Sequence, residues 1–160
     1  MVTRTITTGL DGTALEAWRS YLQSHASIIR ALDSELVAEH GLTTRDYQVL
    51  LYLAQSPDRR LPMSALAEST MLTRSGITRL IDGLVDCGLI DRVSCAKDAR
   101  VSYAALTDEG YEKLRDAGRS HIASVKRLFH QHFTGAEVDQ LAALLSRLPG
   151  AQREGNCSVE

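Results

Sequence analysis

Thr73-Arg74-Ser75-Gly76-Ile77-Thr78-Arg79-Leu80-Ile81-Asp82-Gly83-Leu84-Val85-Asp86-Cys87-Gly88 is the segment from which the rest of the chain can be read. Thr73 is suited to an N-cap, because its hydroxyl can accept a hydrogen bond from an unpaired amide of a first helical turn. Ile77, Leu80, Ile81, Leu84 and Val85 fall at i, i+3, i+4, i+7 and i+8, which makes one apolar stripe of a helix. Arg74, Ser75, Thr78 and Arg79 lie off that stripe, near the start. Gly88 is the residue expected in the left-handed region just past the end. Two strand-like runs follow, 89–94 and 101–106, joined by the polar turn Cys95-Ala96-Lys97-Asp98-Ala99-Arg100. A short helix with cations and hydroxyls at its front, followed by a basic hairpin, reads as a DNA-reading helix with a wing.

The pattern extends outward in both directions. Residues 1–12 are rich in threonine and glycine and are expected to fray. A long helix is predicted from about Thr13 to Glu39, with Leu15, Trp18, Leu22, His25, Ile29, Leu32 and Leu36 at alternating steps of three and four. That seam is too long for so small a domain to cover, and a second subunit could supply the partner helix. Gly41 stops it. Thr43 or Thr44 should cap a second helix, burying Tyr47, Leu50, Leu51 and Ala54. Ser56-Pro57-Asp58 is a turn, Leu61-Pro62 a short edge strand, and Ser64 to Ser69 a third helix burying Met63, Leu66 and Ala67. Beyond the hairpin, Thr107 should cap a helix running to about Phe133, with Asp108 and Glu109 at the positive end of its dipole. Thr134-Gly135 breaks it, and a last helix, Ala136 to Leu148, is expected to bury Val138, Leu141, Leu144, Leu145 and Leu148.

Asp98-Ala99-Arg100 followed by Leu106-Thr107-Asp108-Glu109-Gly110 resembles the D-x-R…L-T-x-x-G signature of the MarR (multiple antibiotic resistance regulator) family of bacterial transcription factors. Ser75 to Leu84 and Gly88 to Arg92 resemble that family's recognition helix and first wing strand, in the same order and spacing. The resemblance runs from about Trp18 to Leu148. It implies a mainly α fold with a small β-hairpin wing: a winged helix-turn-helix at about 43–107 between dimerisation helices at about 13–40 and 108–148. Residues 1–150 would form one such domain, and 151–160 a flexible tail.

Composition bounds the function. A chain of 160 residues can bury a core, and 44% hydrophobic with 24% charged residues is ordinary for a globular protein. Aromatics at 5% argue against a stacking platform for single strands. The net charge is -2, but residues 59–100 hold seven basic against five acidic residues, a mildly basic face on an acidic body. No run approaches the roughly 18 apolar residues needed to span a bilayer, and residues 1–11 have no apolar core of the signal-peptide kind. Cys87, Cys95 and Cys157 are odd in number and lack metal-type spacing, which suits a reduced, cytoplasmic protein.

The candidate DNA contacts are Thr73, Arg74, Ser75, Thr78 and Arg79 in the helix and Lys97, Asp98 and Arg100 in the wing. Arginine can bond guanine in a bidentate way, and hydroxyls can reach phosphate. Arg100 is placed to enter a minor groove and Lys97 to meet phosphate. The resemblance implies that Asp98 holds the arginine or the turn. It also implies a cleft beside the dimer helices that takes small aromatic acids; Trp18 would stack, Arg19 pair with a carboxylate and His25 donate a hydrogen bond. The bland alternative is a core histidine bonded to a neighbouring carbonyl, with Trp18 as plain core. Cys95, near Lys97, and Cys87 raise a redox-sensing reading. His130 and His132, two apart, would not share a helix face, so no metal site is expected. No phosphate loop, nucleophile elbow or carboxylate pair with a base partner suggests an enzyme, and no cofactor is implied.

The expectation is therefore a homodimeric, sequence-specific regulator of double-stranded DNA. It would act as a repressor on a near-palindromic operator and be released by a small aromatic carboxylate. A thiol-sensing regulator, or a winged helix that binds protein and not DNA, are the alternatives.

Overall fold

The computed structural model describes residues 9, 12–94 and 101–149. Its elements follow the order α1 (Gly12–His40), α2 (Thr44–Gln55), β1 (Arg60–Pro62), α3 (Met63–Ser69), α4 (Arg74–Asp86), β2 (Ile90–Ser94), β3 (Ser102–Leu106), α5 (Asp108–Leu128) and α6 (Gly135–Leu145). Short 3-10 turns occupy Pro57–Arg59 and His130–His132. The chain divides into two compact units, residues 1–122 and 123–160.

In the first unit, Gly41 at φ +66° ends α1. Thr43 then caps α2 with a reciprocal pair: its hydroxyl accepts from the Asp46 amide, and the Asp46 carboxylate accepts from the Thr43 amide. Two amides at the start of α2 are therefore satisfied locally. β1, β3 and β2 form an antiparallel sheet in that order, so Pro62 sits on an edge strand where its missing N–H costs nothing. Ile90 pairs with Leu106 and Ser94 with Ser102, which sets the register of the hairpin.

The core lies between α2, α3, α4 and the sheet. Val49, Leu50, Leu53, Leu66, Ile77, Ile81 and Ile90 are each at most 1% exposed. Burial of each such side chain contributes about 1.5–3 kcal/mol. The α2 face is rotated from the expectation, with Val49 and Leu53 buried beside Leu50, while Tyr47, Leu51 and Ala54 are half-buried at its rim. At the start of α5 the Thr107 hydroxyl accepts from the Gly110 amide at 2.9 Å and donates to the Gly88 carbonyl at 2.8 Å. One side chain thus caps α5 and ties it to the end of α4.

Two expectations change. The helix after the wing ends at Leu128, not near Phe133, because Phe129 leaves the helical region (φ -130°, ψ -65°) and residues 130–132 tighten into a 3-10 turn. The last helix buries none of its residues, and Leu144 and Leu148 are 54% and 45% exposed. The long first helix is likewise only partly covered. Leu32 and Leu36 are buried, whereas Trp18, Leu22, His25 and Ile29 of the expected seam are exposed.

Candidate nucleic-acid interface

α4 is set by its two ends. Thr73, in extended conformation, accepts from the Gly76 amide at 3.1 Å, and Gly88 at φ +72° turns the chain toward β2. Between them Ile77, Ile81 and Leu84 are buried, which fixes the rotation of the helix about its axis. Its opposite face is then obliged to face solvent. Thr73, Arg74, Ser75, Thr78, Arg79 and Asp82 line one open depression there. All five helix residues expected to touch DNA are therefore brought together.

Within that face the hydroxyls are ordered. Thr73 Oγ1 and Ser75 Oγ lie 3.2 Å apart, and Thr78 donates to the Arg74 carbonyl at 2.8 Å. Arg74 and Arg79 are exposed and make no ion pair with a described residue. Free amides and the positive dipole end of α4 add to these cations, so the surface favours an anion.

Asp82 and Arg92 belong to this surface and were not singled out from the sequence. Arg92 on β2 donates to Asp82 Oδ1 at 2.6 Å and reaches the Thr78 carbonyl at 3.4 Å. It neutralises the Asp82 carboxylate on the reading face and links that face to β2. The signal available in the sequence was the placement of Asp82 on the same side as Thr78 and Arg79, four and three residues earlier. Arg59 and Arg60 are differently employed. Arg59 lies 4.1 Å over the Tyr111 ring and bonds Asp108 at 3.1 Å, and Arg60 pairs with Asp58 at 3.2 Å.

Lys97, Asp98 and Arg100, together with Cys95, lie outside the described residues. Cys87 is exposed at the C-terminal cap of α4.

The three candidate effector residues separate. Trp18, Tyr21 and His25 form an exposed ladder along α1, with successive ring centroids 6.2 Å apart. His25 also borders an open cleft with Ile29, Arg30, Asp33, Thr43, Thr44 and Arg45, whereas Trp18 and Arg19 are not part of that lining. Asp33 Oδ1 accepts from both the amide and the hydroxyl of Thr44, at 2.8 and 2.9 Å, which fastens α1 to the start of α2.

Comparison with known proteins gives the family. Residues 40–101 match the model of the MarR family. The chain is similar to AbsC, a MarR family transcriptional regulator from Streptomyces coelicolor, with 32% identity, a TM-score of 0.80, and coverage of 89% of this chain and 93% of that one. It is equally similar to Sco3205 of the same organism, a MarR family transcriptional regulator solved in complex with DNA: 32% identity, a TM-score of 0.81, and coverage of 85% and 88%. The transcriptional repressor YetL of Bacillus subtilis is 25% identical over 139 residues, 87% of this chain and 82% of its own. These relatives are transcriptional regulators, not enzymes. With a winged helix-turn-helix, a basic reading face and relatives that align over nearly their whole length, the chain belongs to the MarR family of transcriptional regulators.

Proposed function

We propose that this protein is a cytoplasmic homodimeric repressor that binds a near-palindromic sequence of double-stranded DNA. The carrying observation is the convergence of Thr73, Arg74, Ser75, Thr78 and Arg79 on one open face at the N-terminal half of α4. That face enters the major groove, where Arg79 reads a base edge and the hydroxyls and helix amides hold phosphate. The wing residues Lys97 and Arg100 reach the backbone and the minor groove, with Asp98 steadying the arginine. The naming of YetL as a repressor and the DNA complex of Sco3205 support this assignment.

Release follows when a small aromatic carboxylate stabilises a dimer whose α4 helices are wrongly spaced for the operator; a coupling of ~1–3 kcal/mol suffices for a 5–150-fold change in affinity. His25, which borders the cleft, supplies the polar contact. Arg30 and Arg45 border the same cleft as His25 and are the cations for the carboxylate there, in place of Arg19.

The test is selection of bound fragments from random duplexes, followed by titration with aromatic carboxylates. Arg79→Ala should cost ~1–3 kcal/mol at one base position and relax specificity there. Equal operator affinity for Arg79→Ala and wild type would remove Arg79 from the readout, and failure to enrich any duplex would end the proposal.

A further inference from the structure

The turn joining α3 to α4 places a methionine where the backbone asks for glycine. After Thr70, the Met71 amide bonds the Glu68 carbonyl at 3.1 Å and the Leu72 amide bonds the Ala67 carbonyl at 3.0 Å. This pair of bonds closes a helix in the Schellman manner and requires a left-handed residue between them, usually glycine. Met71 fills it at φ +53°. Leu72 turns back against the core, whereas Met71 is 86% exposed, the most exposed large apolar side chain among the described residues. The free protein thus bears a strained backbone and gets no packing from the side chain in return. Met71 stands two residues before Thr73, at the entrance to the reading face.

We propose that Met71 is a specificity-determining DNA contact whose thioether meets the 5-methyl group of a thymine at the edge of each half-site. The inference rests on the reading that α4 enters the major groove. In that groove Arg74, Ser75, Thr78 and Arg79 offer only polar contacts. The thymine methyl is the apolar feature of the same surface, and it calls for an apolar side chain. Methionine suits the task because it is unbranched and polarizable and adapts to an irregular contact.

The experiment uses the full chain and the duplex that it selects. Each thymidine is replaced in turn by deoxyuridine, which removes the methyl and nothing else. Wild type is expected to lose about four-fold in affinity at one thymine per half-site, the value of one buried methyl-sized group. Met71→Gly should bind the thymidine and deoxyuridine duplexes equally, and Met71→Leu should keep the preference. The thermal midpoint of Met71→Gly should equal or exceed that of wild type, since glycine relaxes the turn, which separates lost contact from lost fold. A wild type that binds its operator yet ignores every methyl, or a Met71→Gly that keeps the methyl dependence, overturns the assignment of Met71 alone. A wild type that selects no duplex overturns the DNA-binding reading and this inference with it.

Discussion

A methyl group added at Gly110 would sit 2.1 Å from the Leu89 carbonyl oxygen and 2.8 Å from Leu106 Cδ1. The Leu106 side chain could swing away, but the Leu89 carbonyl cannot. Leu89 is backbone, held by its amide to the Leu84 carbonyl at 3.0 Å, and its own oxygen accepts from the Thr107 amide at 3.2 Å. Gly110→Ala should therefore destabilise the fold by about 3 kcal/mol, the upper end of overpacking costs. The check is a urea titration in which the midpoint falls while the slope stays constant; an unchanged midpoint would mean that α5 can lift off the turn. This glycine was visible in the sequence as one letter of the L-T-x-x-G motif. The reason for it was not, because the clash is with a carbonyl 21 residues earlier and no local pattern encodes that approach. Thr107 is similar: its cap was legible, its second bond to Gly88 was not.

At the scale of elements, the Asp82–Arg92 pair decides whether the recognition helix and the wing behave as one reader. Coulomb logic alone says that a carboxylate on a phosphate-facing surface weakens binding, so that Asp82→Asn should improve affinity for all duplexes. The geometry opposes that for the cognate site. Arg92 spans from β2 to both the side chain of Asp82 and the carbonyl of Thr78, and so braces the strand that leads to the wing. Asp82→Asn is expected to tighten non-specific binding slightly while lowering operator affinity, so that the ratio of the two falls roughly ten-fold, about 1.4 kcal/mol. Arg92→Ala should lower both. Its effect and that of Asp82→Asn should not add, since one contact is lost in either case; full additivity on the operator would show that the pair is only a surface ion pair worth under ~1 kcal/mol. α4 itself was well read from its caps and its 3.6-residue period, because both signals lie inside one element. The pairing of Asp82 with Arg92 depends on the register of β2 against α4, which the sequence leaves open. The C-terminal end of α5 was missed for a related reason. The apolar residues Val125, Leu128 and Phe129 continue the helical period, but Phe129 departs from helical torsions, and hydrophobic spacing does not report where a backbone bends.

For the whole molecule, the telling fact is how much apolar surface the single chain leaves uncovered. Trp18, Tyr21, Leu22, Ile29 and Val37 on α1 are each more than 40% exposed. α6, with Val138, Leu141, Leu144 and Leu145 in eleven residues, has no buried residue. A helix of that length is marginal in water by propensity alone, even with the Thr134–Glu137 capping box that it possesses. Its persistence requires packing, and a second copy of this chain offers the same surface in return, as a two-fold interface demands. The sequence exposed this imbalance as a surplus of leucine on a helix expected to take part in dimerisation. Leu144→Glu combined with Leu148→Glu should convert the protein from dimer to monomer in sedimentation equilibrium. The core around Leu50, Leu53, Leu66 and Ile81 lies in the first unit and should keep its cooperative melt. Operator affinity should drop by a factor of 10²–10⁴, because two linked half-site contacts become independent ones, whereas binding to a single isolated half-site should be almost unchanged. A variant that stays dimeric would remove α6 from the interface. One that becomes monomeric yet binds the full operator as tightly as before would show that a single winged domain carries recognition, and that the spacing of two helices has no part in it.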